Sequence, residues 1–284
     1  MNLIIYIIIF SYNIYNSMTE IENNTFSRLI RLSSIHANRL TDTSSNFTIN
    51  LNRMTETNDI IRVVFKSISF PNTVYNIIDN GARQNNIFKY DINGTPYTFE
   101  PLSGFYSFDS ITTLLQNDIQ TNLDAQLGPG TAAISISLDP ITQKLLFDYS
   151  GWTPSLFGND EDANLNRLLG NNNNITLSAS PYTFNQLANL YGLTDLYVTS
   201  TLIGEQNLVD SDVESHDIIA RIPIDVPFGS LQIYESKDDE LDSITYKSSR
   251  NYDSLSIELR DLDMNIVDLQ NNQPVTILLK VYYL

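Results

Sequence analysis

The clearest constellation of potential ligands lies at residues 210–216. Four ionisable side chains occupy alternate positions there: Asp210, Asp212, Glu214 and His216. Alternate residues of a β-strand share one face, so on a strand these groups would converge on a hard cation. A solvated acidic loop ahead of the next strand is the simpler interpretation of the same residues. We therefore predict no metal site, and these four residues are the weak candidates to test first.

A second pattern resembles the start of a calcium-binding loop. Oxygen-bearing side chains alternate at Asp160, Asp162, Asn164 and Asn166. The sixth position of such a loop requires a glycine turn and the twelfth a bidentate glutamate, but this chain has Leu165 and Asn171 there. The pattern therefore does not predict calcium binding.

The chain has few side chains that are suited to catalysis. The chain has no cysteine, which excludes thiol catalysis and cysteine zinc sites, and its only other histidine is His36, in a polar segment. Asp261 and Asp263 form one of many acidic pairs, as any acidic chain provides. None of the common phosphate-binding, nucleophile-elbow or zinc-protease motifs is present. We expect a protein that is not an enzyme and needs no cofactor.

The charge balance limits the partners. With 16 Lys and Arg against 33 Asp and Glu, the 284-residue chain has a formal charge of −17. Non-specific binding to duplex nucleic acid depends on basic side chains that neutralise phosphates, so we expect no direct nucleic-acid binding. Only 17% of the residues are charged, against about 25% in an ordinary soluble domain. Asparagine, serine and threonine supply the remaining polarity, and such neutral surfaces suit large static contacts.

Most of the chain after residue 44 has the pattern of β-strands. Residues 46–52 alternate, with Phe47, Ile49 and Leu51 on one side, and residues 60–70 are β-branched and aromatic. Asn93-Gly94 between apolar segments is the strongest hairpin signal. A second hairpin is expected around Asp139-Pro140. About ten strands, spaced with turn residues between them, predict a β-sandwich or barrel in one large domain or two small ones.

One helix interrupts the strands. Apolar residues recur at intervals of three and four, at Phe108, Ile111, Leu114, Leu115, Ile119 and Leu123. Ser107 or Asp109 is the expected N-cap, and the helix should end before Gly128-Pro129. Residues 151–196 are less regular, with a short helical stretch near residues 165–169.

The first 18 residues are strongly apolar and have no Lys or Arg. The apolar run at residues 3–10 is shorter than the ~20 residues that span a bilayer, and it lacks the basic region of a secretory signal. Three interpretations stay open. Met18 is the true start, the segment is an arm that pairs with a neighbouring subunit, or it is a membrane-associated peptide.

Several segments in chain order carry a family resemblance. They are residues 38–39 (NR), 45–51 (SNFTINL), 63–77 (VVFKSISFPNTVYNI), 99–106 (FEPLSGFY), 168–170 (LLG), 218–224 (IIARIPI), 228–229 (FG) and 256–269 (SIELRDLDMNIVDL). Over roughly residues 38–284, this order resembles the penton and minor capsid proteins of virophages, polinton-like viruses and nucleocytoplasmic large DNA viruses. The apolar amino terminus does not map onto that family.

The resemblance implies an all-β fold with a single jelly-roll β-sandwich and one main helix. Residues 45–284 would form the jelly roll, with a possible insertion at residues 151–196, and residues 1–44 an arm or extension. It also implies a homopentamer at the fivefold vertices of an icosahedral virion, made in the host cytoplasm. The partners would be the double-jelly-roll major capsid protein and other minor capsid proteins. No catalytic residues are implied.

Two other functions remain compatible with the sequence. A receptor- or glycan-binding jelly roll, similar to a fibre knob, would assemble a pocket of aromatic side chains and carboxylates from its loops. A carbohydrate-active β-sandwich enzyme would need one carboxyl group in an apolar pocket, which a sequence does not reveal.

Overall fold

The computed structural model describes residues 26–36, 43, 45–50, 60–200, 218–237, 243–250, 254–270 and 273–283. The first strands are β1 (Phe26–Ser33), β2 (Asn46–Asn50), β3 (Ile60–Pro71), β4 (Phe88–Ile92), β5 (Thr95–Phe99), β6 (Ala133–Leu138), β7 (Lys144–Ser150) and β8 (Pro154–Phe157). The later strands are β9 (Asn174–Thr176), β10 (Tyr182–Leu187), β11 (Asp195–Ser200), β12 (Ile218–Pro223), β13 (Leu231–Glu235), β14 (Ser243–Arg250), β15 (Ser254–Arg260) and β16 (Thr276–Tyr283). The α-helices are α1 (Phe108–Leu127) and α2 (Asn164–Leu168). Within the described part of the chain, no helix is both long and apolar enough to cross a membrane.

The chain folds into two compact units. The sandwich unit combines the chain up to Val74 with the chain from Leu193 onward, and the central unit is Tyr75–Gly192. Residues 151–192 of the predicted insertion lie in the central unit. Strand β1 falls within residues 1–44, for which the sequence predicts an arm or extension. The domain boundaries drawn from the sequence stay predictions.

Two antiparallel sheets form the sandwich unit. One has the order β1-β16-β3-β13, with β14 also paired to β3, and the other has the order β12-β11-β15-β2. Strand β16 alternates strictly, burying Ile277, Leu279, Val281 and Tyr283. These side chains share one apolar core with residues of the second sheet such as Phe47 and Ile257. The arrangement is a jelly-roll β-sandwich, which confirms the predicted fold class.

The central unit has its own core. Its sheets have the orders β5-β4-β8-β9 and β10-β7-β6. Helix α1 buries Ile111, Leu115, Ile119 and Leu123 in the same apolar cluster as Phe88 and Phe147. The helix begins as predicted, since Ser107 is its N-cap and the Ser107 hydroxyl accepts a hydrogen bond from the Ser110 N–H. Leu114 belongs to the apolar periodicity of the helix, but the structure leaves it exposed.

Both predicted hairpins form. Asn93 and Gly94 connect β4 and β5 with φ of 51° and 86°, the left-handed pair that a tight two-residue turn requires. Strands β6 and β7 pair from Ala133↔Ser150 to Leu138↔Leu145, around the turn that contains Asp139.

The estimate of about ten strands is too low, because the described residues alone form sixteen. The strands without a sequence signal are short or atypical. Strand β9 has three residues, and β10 changes register between Thr183 and Leu187. Strand β1 exposes Phe26 and Leu29, so its pattern does not indicate a buried face.

Candidate assembly surface

The four weak metal-ligand candidates, Asp210, Asp212, Glu214 and His216, lie outside the described residues. His36 ends a 3₁₀ turn, Ser34–His36, that follows β1. Across the described ranges, no group of three or more His, Asp or Glu side chains is close enough to hold a metal ion. The weak metal prediction at residues 210–216 therefore stays untested.

A lysine occupies the centre of the calcium-like pattern. The Lys89 ammonium lies 2.5 Å from Asp162 Oδ1 and 3.7 Å from Asp160 Oδ2. The hydrogen bond from Lys89 holds the pKa of Asp162 below its ordinary value, and the same bond raises the pKa of Lys89. Asn164 and Asn166 do not turn toward this pair, because their side chains bond the backbone of Ile87 and Lys89. The aspartates of this pattern thus form an ion pair with Lys89, and the two asparagines accept hydrogen bonds from backbone N–H groups. All four side chains have structural roles.

Other aspartates with lowered pKa values also have structural roles. Asp79 accepts hydrogen bonds from the hydroxyl and backbone N–H of Ser103, at 2.8 and 3.0 Å, and these bonds lower its pKa. Asp195 forms a bidentate pair with Arg221, at 2.9 and 3.1 Å, which lowers the Asp195 pKa. A lowered pKa keeps a carboxylate ionised at neutral pH, so neither group is tuned to exchange a proton there.

These bonds predict an acid limit to stability. A carboxyl group whose folded pKa is depressed stabilises the fold above its unfolded pKa of about 4, and this contribution is lost as the pH falls through the folded pKa. We expect the melting temperature to fall below about pH 4. Asp195→Asn should flatten that fall, measured by thermal melts between pH 7 and pH 3. The exposed Asp263, replaced in the same way, is the control, and equal pH profiles for the two variants would contradict the assignment.

A buried tyrosine in the central unit is structural as well. Tyr90 is fully buried, and its hydroxyl donates to Asp118 Oδ2 at 2.9 Å while it accepts from Asn122 Nδ2 at 2.7 Å. Burial raises the Tyr90 pKa well above its ordinary value. The phenol therefore stays protonated and joins α1 to β4.

In the central unit, side chains bond backbone groups that no neighbouring strand pairs. Gln116 and Gln120 of α1 accept hydrogen bonds from the backbone N–H groups of Ile136 and Ile134 in β6. On the other sheet, Asn166 bonds both the N–H and the carbonyl of Lys89 in β4, at 2.7 and 3.0 Å. A covered edge does not recruit a further strand, so the two glutamines of α1 protect the edge strand β6 against unintended pairing.

In the first sheet of the sandwich unit, two edge strands expose apolar side chains. Strand β1 pairs only with β16, and β13 pairs only with β3, among the strands that are described. Both carry exposed apolar side chains, namely Phe26, Leu29, Leu231 and Ile233, with exposed fractions from 37% to 62%. Exposed apolar residues on an open edge are a hazard for a monomer and a usual feature of an assembly surface.

The central unit also exposes two large side chains, on segments that Asn76 joins. Asn76 is buried, and its carboxamide donates to the carbonyls of Tyr106 and Leu190, both at 2.8 Å. The two segments that it joins expose Leu102 (76%) and Tyr191 (86%). Sequence reasoning missed the link between these two segments because they are far apart in the chain.

No protein-family model and no curated protein matches the chain by sequence. Its fold is similar to that in the crystal structure of the mavirus penton protein. The TM-score is 0.55 and the sequence identity 7%, and the match covers 91% of this chain and 100% of that chain. Similarity at this identity concerns the fold. The resemblance to penton proteins that the sequence predicts is thus confirmed at the level of the fold, which is that of a viral penton protein.

Proposed function

We propose that this protein is a structural component of an icosahedral virus capsid, and that it is the penton protein, which forms homopentamers at the fivefold vertices. The observation that carries the proposal is the structural match, because it covers the whole of a penton chain and 91% of this chain. The partners would be the double-jelly-roll major capsid protein and other minor capsid proteins. The protein would reside in the virion after synthesis in the host cytoplasm.

Two features of the chain support the proposal. The open edges of the sandwich unit expose apolar side chains that a neighbouring subunit would cover. The aspartates with lowered pKa values and the buried tyrosine are bound to structural partners, as a protein without catalytic activity would have them. We propose that the chain has no enzymatic role.

The oligomeric state tests the proposal directly. A pentamer of the 32.2 kDa chain has a mass of about 161 kDa, and mass photometry of the purified protein measures it. Because five copies of a chain with charge −17 repel one another, the pentamer fraction should rise with ionic strength as the repulsion is screened. A chain that stays monomeric at every salt concentration, or a pentamer fraction that does not change with salt, would contradict this account.

A knob-like binding protein is the second candidate, and one observation favours it. Leu102 and Tyr191 are exposed on segments joined by Asn76, and burial, followed by the charge of the nearby Asp79 carboxylate, raises the pKa of Tyr106. Aromatic side chains beside a carboxylate are typical of a glycan-binding surface. A trimer in mass photometry and binding to a glycan array that Tyr191→Ala abolishes would favour this alternative over the penton.

A further inference from the structure

The two sheets of the sandwich unit have different outer faces. In the first sheet, Leu29 of β1 lies opposite Lys280 of β16, and both point away from the core that Ile30 enters. The large aliphatic side chains exposed on this face are Leu29, Leu231 and Ile233, with exposed fractions from 37% to 58%. On the strands described for the second sheet, no large apolar side chain is exposed. The outer face of the first sheet therefore has apolar surface that a partner is needed to cover.

The same face carries basic side chains without acidic partners. Neither Arg31 nor Lys280 forms an ion pair with a described residue. The Lys280 ammonium lies 4.8 Å from the centroid of the Tyr282 ring, and the Arg62 guanidinium lies 5.7 Å from the same centroid. The only acidic residue in the strands of this sheet is Glu235, three strand spacings or about 14 Å from Arg31. The face therefore has an excess of positive charge.

Charges on the outer face of the second sheet are paired within that sheet. Asp195 of β11 binds Arg221 of β12 at 2.9 Å. Glu258 and Arg260, both in β15, lie 2.5 Å apart. A face whose charges are already paired is suited to solvent. The unbalanced charge and exposed aliphatic side chains of the first sheet instead indicate a partner that is both acidic and apolar.

The chain itself contains such a partner, in the segment ahead of β1. Residues 1–25 contain two charged side chains, Glu20 and Glu22, and no Lys or Arg. Isoleucine and tyrosine make up much of the remainder. An exposed isoleucine-rich segment is prone to aggregation unless another surface covers it. The segment and the outer face of the first sheet therefore have complementary charges, and both need an apolar contact.

The distances between backbone positions allow this contact. The segment joins β1 at Phe26, and Lys280 is three residues along the sheet and one strand across from Phe26, which is about 11 Å. Glu22 precedes Phe26 by four residues, which span at most about 14 Å, so Glu22 can reach Lys280. The two-residue spacing of the glutamates spans about 7 Å, close to the separation of about 8 Å between Lys280 and Arg31.

We propose that residues 1–25 dock on the outer face of the first sheet of their own chain. The two glutamates pair with Lys280 and Arg31, and apolar side chains of the segment cover Leu29. The covalent link to β1 gives the segment a high effective concentration at this face, which favours it over a second copy. A second copy bound through the same face would also bring the same basic side chains to the contact, whereas the segment brings none.

This contact is separate from the proposed assembly of the protein. Leu231 and Ile233 lie at the far edge of the sheet and stay available to a neighbouring subunit. The inference concerns a single chain, so it does not rest on the proposed pentamer.

The absence of cysteine allows a direct test by cross-linking. Ser17→Cys with Ser67→Cys places one thiol in the segment and one on the outer face. Ser67 lies opposite Leu278 and Glu235, in the middle of that face. A short bismaleimide reagent then has only these two thiols to link. We expect the main product to be linked within one chain, which keeps the monomer mass and migrates faster in a denaturing gel.

Charge reversal in the same double-cysteine chain is the matched control. Glu20→Lys with Glu22→Lys keeps the length of the segment and the positions of both thiols. It should slow formation of the intrachain link at least about fivefold, because like charges replace the proposed ion pairs. Adding Arg31→Glu with Lys280→Glu to that chain should restore the rate to within about twofold.

Each outcome decides the inference. A rate that the lysines leave unchanged, or that the added glutamates do not restore, would overturn the contact. A main product of about 64 kDa, twice the 32.2 kDa chain, would show that a neighbouring copy supplies the partner, which overturns docking within one chain.

Thermal melts followed by circular dichroism check that every variant is folded. If Arg31→Glu with Lys280→Glu lowers the melting temperature, Arg31→Gln with Lys280→Gln replaces it. This milder pair, introduced into the double-cysteine chain with both segment glutamates intact, should slow the intrachain link at least about twofold. An unchanged rate there would likewise count against the contact.

Discussion

Replacing Gly170 by alanine is expected to lower the free energy of unfolding by about 3 to 5 kcal/mol. Gly170 follows α2 with φ of 98°, a conformation that costs an L-residue with a side chain about 1–2 kcal/mol. An added Cβ would also lie 2.3 Å from the carbonyl oxygen of Gln186, whose N–H donates to the Gly170 carbonyl. That oxygen belongs to the backbone of β10, so it cannot move away as a side chain would.

Gly94 provides the matched control for this substitution. Its φ is 86°, but an added Cβ would meet no atom within 4 Å. Gly94→Ala therefore measures the conformational cost alone, about 1–2 kcal/mol. Urea unfolding of both variants, followed by far-ultraviolet circular dichroism, gives the two values. If the two variants lose equal free energy of unfolding, the backbone of β10 moves away from the added methyl group. The close approach of Gly170 to Gln186 would then not be rigid.

Local sequence signals predict the parts of this fold that local chemistry determines. The Asn93-Gly94 turn and the Ser107 N-cap each depend on residues within a few positions of one another, and both form as predicted. The alternation of Phe47 and Ile49 likewise marks β2. Turns, caps and half-buried strands are predictable because each depends on residues that lie close together in the sequence.

Contacts between distant segments have no comparable signal. Asn166 caps β4 across 77 residues of sequence, and nothing in its own neighbourhood indicates this partner. In β13 the polar Gln232 is buried between two exposed aliphatic residues. The alternation in the sequence alone would predict the reverse, with the aliphatic residues buried and Gln232 exposed. The open edges that form the candidate assembly surface emerge only when the strand order is known.

The abundance of asparagine has a second explanation in the structure. The composition indicates a neutral surface suited to static contacts, but Asn72, Asn76, Asn86, Asn166 and Asn171 are buried. A carboxamide carries a donor and an acceptor and thus imitates a peptide group without introducing charge. Asn76 and Asn166 use both functions to satisfy backbone groups where no strand is available. Part of the asparagine content therefore serves the interior.

The largest single loss among these amides is expected for Asn166→Ala, about 2 to 4 kcal/mol of unfolding free energy. Asn166 is fully buried, and its carboxamide accepts from the Lys89 N–H at 2.7 Å and donates to the Lys89 carbonyl at 3.0 Å. Strand β8 pairs with β4 only at Tyr90–Ile92, so Asn166 continues the hydrogen bonding of β4 beyond the end of its partner. Without the carboxamide, one buried donor and one acceptor lose their partners.

Two further variants make this prediction specific. Asn166→Asp keeps the acceptor for the Lys89 N–H but sets an anion against the Lys89 carbonyl, so we expect a loss at neutral pH that becomes smaller as the pH falls and the carboxyl is protonated. Asn117→Ala changes the same residue type at an exposed position of α1, where alanine is the better helix former, and should leave stability equal or slightly higher. Urea unfolding measures all three. If Asn166→Ala unfolds at the same urea concentration as Asn117→Ala, the backbone of Lys89 finds other partners, and the edge of β4 does not depend on this cap.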